Sequence, residues 1–116
     1  MSRQAKQKGR LGQQEVRDAI LNLFPDLEKD DVRSTAMGQN GEDIQLSPKA
    51  RELLPLSIEV KRRKDLKTVY EWMDQAKQGD WEPVVCFRGD RKDWLTIVSM
   101  DHYLTLLKAW SDHGKQ

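Results

Sequence analysis

The stretch Leu56-Ser-Ile-Glu-Val-Lys61 decides how this chain is read. Leu56, Ile58 and Val60 alternate with Ser57, Glu59 and Lys61. A β-strand with this pattern sends three apolar side chains to one face and three polar ones to the other. Working outward, Arg62-Arg63-Lys64 follows as a basic run. Leu66, Val69, Tyr70, Met73 and Ala76 then recur at helical spacing, which predicts a helix over about 66–78 with Gly79 as its cap. Upstream, Asp31–Met37 and Asp43–Leu46 read as the arms of a hairpin, and Gly38-Gln-Asn-Gly41 supplies the turn. Ser47-Pro48 closes the hairpin. Lys49–Leu54 suits one helical turn, stopped by Pro55.

The flanks complete the pattern. Leu11, Val16, Ile20, Leu23 and Phe24 predict a first helix over about 10–24, ended by Pro25. Pro83-Val-Val-Cys-Phe87 reads as a buried strand, with Cys86 a small core group. Arg88-Gly89-Asp90 turns into a further strand, Trp94–Val98. Ser99 or Asp101 can cap a final helix whose apolar stripe is Tyr103, Leu104, Leu107 and Trp110. Trp94 and Trp110 are expected in the core. Trp72 and Trp81 are expected to pack rather than stack on bases. The order α-β-β-β-α-β-β-α mixes strands and helices around a single sheet, which implies an α/β or α+β domain. Residues 1–9 are expected as a flexible basic arm and 10–116 as a single domain.

Composition narrows the function classes. The 116 residues carry twenty Lys and Arg against nineteen Asp and Glu, so the net charge of +1 names no partner by itself. Mean hydropathy is −0.81, yet four Trp and clear apolar runs argue against disorder. No apolar run is long enough to span a bilayer, so no membrane role is expected. A lone cysteine excludes a disulfide framework and a multi-cysteine zinc site, and fits a reducing, cytoplasmic setting. No glycine-rich phosphate loop occurs. His102 and His113 lie far from the acids in sequence and are expected at the surface.

The distribution of charge says more than its sum. Arg3, Lys6, Lys8 and Arg10 stand among the first ten residues with no acid. Residues 59–67 hold five basic groups against two acids. Between these runs, Glu59 and Lys61 leave the same strand face. Asp43, at the start of the hairpin's second strand, comes beside them if the two strands are neighbours. Hard oxygen donors converging in this way suit Mg²⁺, which keeps several waters and takes only one or two protein carboxylates. Lys61 could then orient or activate an attacking water, or hold charge that develops on a phosphate. Alternating Glu and Lys is also what an ordinary solvated sheet face shows; the element order is what favours chemistry.

Asp43, then Glu59-Val60-Lys61, resembles the D-X(n)-E-X-K signature of the PD-(D/E)XK nuclease superfamily. Helix, Asp-bearing hairpin, E-X-K strand and second helix stand in the superfamily's order. Within it the chain is most similar to archaeal-type Holliday-junction resolvases and small phage-encoded nucleases. The matching pieces are Gly12 through Glu15, Val32-Arg33-Ser34, Gly41-Glu42-Asp43-Ile44 and Ile58-Glu59-Val60-Lys61, so the resemblance covers about residues 8–98. The family's Pro before the Asp is Glu42 here. Residues 47–55 form a Pro-bounded segment between the acids.

The resemblance implies an α/β restriction-endonuclease-like core, with a central mixed β-sheet flanked by helices, and a Mg²⁺-dependent endonuclease, with Mn²⁺ able to substitute. It implies Asp43, Glu59, Glu15 and the carbonyl of Val60 as metal ligands, and Lys61 as the catalytic cation. Arg10, Arg33, Ser34, Arg62, Arg63, Lys64 and Gln75 are implied to contact DNA, with branched or junction DNA as the expected substrate. Symmetric junction cleavage implies a homodimer. Two other readings stand beside it: a non-catalytic DNA-binding or assembly module on the same fold, and a nicking nuclease acting on linear duplex.

Overall fold

The computed structural model describes residues 3–35 and 42–113. It shows a small α/β fold. The elements run α1 (Arg3–Leu23), a 3₁₀ turn (Lys29–Asp31), β1 (Val32–Ser34), β2 (Ile44–Leu46), α2 (Pro48–Leu53), α3 (Lys67–Ala76), β3 (Val85–Phe87), β4 (Leu95–Ile97) and α4 (Met100–His113). The predicted turn at Gly38–Gly41 lies outside the described residues. So do Met1 and Ser2 of the predicted arm. The chain divides into two compact units, Met1–Arg63 with Leu104–Gln116, and Lys64–Tyr103.

The first unit is built on the predicted hairpin. β1 and β2 pair antiparallel, with Val32 opposite Leu46, Arg33 opposite Gln45 and Ser34 opposite Ile44. The ladder extends by one further bond, from the Thr35 amide to the Asp43 carbonyl. Val32 and Ile44 point inward and are fully buried. They pack with Ile20, Phe24, Leu27, Ala50, Leu54 and Leu104. Ile20 and Phe24 come from the predicted apolar stripe of the first helix, and Leu104 from that of the last. Deleting a side chain as buried as these typically costs about 2–5 kcal/mol.

Two features of α1 differ from the sequence reading. The helix starts at Arg3 rather than near residue 10, so most of the expected arm is helical. Its Gln, Lys and Arg residues are strong helix formers, and their charge did not prevent helix formation. Leu11, expected on the inner stripe, is exposed. Gly12 is buried in its place, because the chain at 60–62 crosses α1 there. A Cβ on Gly12 would lie 3.1 Å from Arg62 Cβ and 3.4 Å from Val60 Cγ1.

The largest correction concerns residues 56–61. The alternation holds: Leu56, Ile58 and Val60 are half-buried against the core, while Ser57, Glu59 and Lys61 are exposed. No ladder forms, however, and among the described residues the expected central mixed sheet is replaced by two separate two-stranded antiparallel sheets. Side chains claim two backbone groups of this segment. Arg51 takes the Leu56 carbonyl and Asp43 takes the Val60 amide. Side-chain groups of this kind compete with ladder bonds. The observed order is therefore α-β-β-α-α-β-β-α. The additional helix is α2, capped by Ser47, whose hydroxyl accepts the Ala50 amide at 3.0 Å, with Pro48 in its first turn.

The second unit has α3 and the β3–β4 ribbon. Val85 pairs with Ile97, Cys86 with Thr96 and Phe87 with Leu95. Met73 is its buried hydrophobe, and Trp72 packs on Phe87 with ring centroids 5.7 Å apart. A two-stranded ribbon with a helix on one side covers only that side. Val85 and Phe87 are thus half-buried while Cys86 between them is exposed, which corrects the expectation of a buried strand. Trp94 is exposed as well, with the Arg88 guanidinium 5.5 Å above its ring. Trp81 is 89% exposed and Trp110, on α4, is also exposed, so neither packs as expected. Ser99 caps α4 by accepting the His102 amide, as predicted.

Candidate functional site

The candidate site grows from the start of β2. Asp43 directly precedes Ile44, whose burial fixes the strand, and the Thr35 bond to its carbonyl fixes its backbone. Its side chain, held between hairpin and core, accepts the Val60 amide at Oδ2, 2.7 Å away. Two of the four residues of the sequence signature are thus bonded to each other. Among the described residues, Oδ1 of Asp43 makes no hydrogen bond.

Glu59 and Lys61 flank Val60 and share the outer face. The Lys61 ammonium lies 3.9 Å from Glu59 Oε2, and both side chains are about two-thirds exposed. An ion pair this open is worth little, so both groups are available to other partners. Glu15, from α1, meets the same segment one residue further on, with Oε1 3.6 Å from Arg62 Nε. Gly12 permits this approach, since it lets α1 come against Val60 and Arg62.

Glu42 and Arg51 complete the surroundings, and sequence reasoning missed both. Glu42 directly precedes Asp43. Its carboxylate accepts Arg51 Nη2 at 2.8 Å and the Ser57 hydroxyl at 3.2 Å. Its carbonyl accepts the Thr35 hydroxyl. Arg51 gives its other terminal nitrogen, Nη1, to the Leu56 carbonyl at 3.0 Å. The Arg51 hydrogen bond, helped by Ser57 and by the Arg51 charge, holds the Glu42 carboxyl below the usual carboxylate range against a smaller opposing effect of desolvation. The signal in the sequence was an acid directly before Asp43 and a base in the inserted segment. Nothing in their spacing shows that they meet.

Other expected residues fall elsewhere. Arg33 is exposed on β1 and pairs with Asp30 at 3.1 Å. Ser34 sits opposite Ile44, one position from Asp43. Arg10 is exposed on α1, and Arg63 and Lys64 are exposed beyond Lys61. Gln75 belongs to the second unit. There it lines an open groove of about 550 Å³ with Trp72, Ala76 and Val84–Phe87. His102 is half-exposed, its Nδ1 3.9 Å from Glu82.

The donor chemistry can be set against the expected cation. Asp43, Glu59 and the Val60 carbonyl are hard oxygen donors on two adjoining pieces of chain, in keeping with a water-rich Mg²⁺ site of one or two carboxylates. Among the described residues, however, no three His, Cys, Asp or Glu side chains gather as a metal-binding group. Glu15 in particular faces Arg62, not Asp43. Among the same residues no helix is long and apolar enough to cross a membrane. No family model, curated protein or solved structure matches the chain.

Proposed function

We propose that this protein is a divalent-metal-dependent endonuclease of the PD-(D/E)XK type, acting on branched DNA in the manner of a junction resolvase. The observation that carries the reading is the Asp43–Val60 hydrogen bond, which joins the Asp of the hairpin to the centre of Glu59-Val60-Lys61. In this reading Asp43, Glu59 and the Val60 carbonyl hold Mg²⁺, or Mn²⁺ in its place. Glu15, which faces Arg62 in this structure, joins the site only by leaving that partner. The metal supplies Lewis-acid chemistry at the phosphodiester. Lys61, exposed beside Glu59, holds negative charge as it develops on the phosphate. Arg10, Arg62, Arg63 and Lys64 bind the DNA backbone, and Arg33, Ser34 and Gln75 add contacts. Two cuts on one junction call for a homodimer.

Incubation with Mg²⁺ and four-way, nicked and linear DNA tests the proposal, with Asp43→Ala and Lys61→Ala alongside. Cleavage by the parent protein and by neither variant supports it. Activity that survives both substitutions rejects it, and the substrate panel separates a resolvase from a nuclease that nicks linear duplex.

One observation favours a second reading. The three carboxylates are not gathered among the described residues, which suits a DNA-binding or assembly module that does not cleave. That module would show binding that weakens steeply with salt, and no product in Mg²⁺ or Mn²⁺.

A further inference from the structure

The segment 56–61 carries the chemistry proposed above, yet no strand ladder holds it. Three side-chain bonds do so instead, from Arg51 to the Leu56 carbonyl, from Ser57 to Glu42, and from the Val60 amide to Asp43. Two of these three depend on the Glu42–Arg51 pair. Arg51 lies on α2, which is seated in the core by Ala50 and Leu54, both fully buried. Glu42 is the chain neighbour of Asp43, and its backbone is tied to Thr35. One planar guanidinium thus connects the core-anchored helix, the residue before Asp43 and the start of the E-x-K segment.

We propose that Arg51, acting through Glu42 and the Leu56 carbonyl, is the positioning residue that sets the E-x-K segment against Asp43. This rests on the functional reading only for its consequence for metal; the positioning itself is a property of the fold. Its geometry demands arginine. The two terminal nitrogens must reach a carboxylate at 2.8 Å and a carbonyl at 3.0 Å at once. The fixed fork of a guanidinium does this, whereas a lysine ammonium is a single point of charge on a flexible stem. Glu42 is equally specific, since its two oxygens serve two donors, Arg51 at Oε2 and Ser57 at Oε1. Glutamine keeps one acceptor and loses the charge. The Pro-bounded segment 47–55 thereby gains a role: it carries the arginine.

Hydrogen exchange at the Val60 amide, followed by NMR in the full-length protein, tests this directly. Variants Arg51→Lys, Arg51→Ala and Glu42→Gln are compared with the parent. Loss of a charge-assisted bond of this kind should speed exchange at Val60 about tenfold in Arg51→Lys. Core amides such as that of Ile20 should change by much less. If Arg51→Ala does not fold, Arg51→Lys and Glu42→Gln decide the question. Val60 exchange that stays at the parent rate in both overturns the proposal, as does equal acceleration across the core.

Mn²⁺ titration, read by paramagnetic broadening at Val60 and its neighbours, supplies the second arm. Where the parent binds Mn²⁺, Arg51→Lys should raise the half-saturating concentration about tenfold on the same reasoning. An unchanged value overturns the link from Arg51 to the metal. A parent that binds no metal and cuts no DNA defeats the nuclease reading, and the exchange experiment still decides the role of Arg51.

Discussion

Oδ2 of Asp43 accepts the backbone amide of Val60 at 2.7 Å, so a residue at the start of one hairpin strand anchors a segment seventeen positions further on. This single bond separates the structural and chemical duties of Asp43. Asp43→Asn keeps an acceptor of similar shape, while Asp43→Ala strands a partly buried amide. Urea unfolding should show a loss of about 1–3 kcal/mol for Asp43→Ala and a smaller one for Asp43→Asn. On the proposed endonuclease reading, both should also abolish cleavage in Mg²⁺. Equal stability of the two variants would mean that water replaces the bond.

Gly12 provides a second handle on the same segment. Alanine there gains up to about 1 kcal/mol of helix propensity, but its Cβ meets Arg62 Cβ at 3.1 Å. That atom is attached directly to backbone and cannot swing aside, so the gain is offset. Gly12→Val goes further, adding two methyls to the crowding. It should destabilise the protein by about 1–3 kcal/mol, the usual range for overpacking. Thermal unfolding of both variants measures the balance, and a stabilised Gly12→Val would show that residues 60–62 yield easily.

Acid should weaken the fold through two carboxylates. Arg51 lowers Glu42, and the Glu28 amide and then the Ser47 hydroxyl lower Asp31 against a smaller effect of desolvation. A group with a depressed folded value contributes stability that is complete above its unfolded value, about 4 for these acids. That stability is lost as the pH falls through the lower, folded value. Unfolding measured from pH 7 to pH 3 should therefore show a decline that begins below about 5 and continues past the ordinary carboxylate range. In Glu42→Gln, and again in Asp31→Asn, the decline should be shallower.

Ile44 fills the middle of the first unit's core with no surface exposed. Ile44→Ala should cost about 2–5 kcal/mol. Because Ile44 follows Asp43, this variant should also loosen the Asp43–Val60 bond, visible as faster exchange at Val60. Leu106→Ala, an exposed position on α4, is the matched control and should change stability by no more than about 0.5 kcal/mol.

Cys86 is exposed, with its Sγ 3.7 Å from the Thr96 hydroxyl across the ribbon. A thiol reagent should label it in the native protein at a rate near that of the unfolded chain. Strong protection in the native state would restore the buried strand that the sequence suggested.

Legibility followed locality. The hairpin and the cap at Ser99 were readable because each depends on neighbours in sequence. The inner and outer faces of residues 56–61 were readable for the same reason, since alternation is local. What failed was pairing. Whether an alternating segment joins a ladder depends on which distant groups claim its backbone, and Arg51 and Asp43 do so here. Apolar content also misled at Cys86 and Trp94. A hydrophobic strand suggests cover on both faces, and a two-stranded ribbon with one helix gives it only one. Of the candidate site, the approach of Asp43 to residues 59–61 was expected on condition that their strands be neighbours, whereas the bond from the Val60 amide to Asp43 was not expected. The Glu42–Arg51 pair was not, since nothing short-range marks two opposite charges nine residues apart as partners.

The division of the chain has a consequence for its manufacture. Leu104 belongs to the core of the first unit, together with Ile20, Phe24 and Ile44. Everything from Lys64 to Tyr103 is translated before it. A nascent chain that has emerged only as far as Arg63 therefore carries the hairpin and α1 with one wall of their core missing. Such a chain exposes apolar surface until α4 arrives, the interval in which nascent chains are most prone to associate wrongly. A protein shortened before Leu104 would hold that condition permanently.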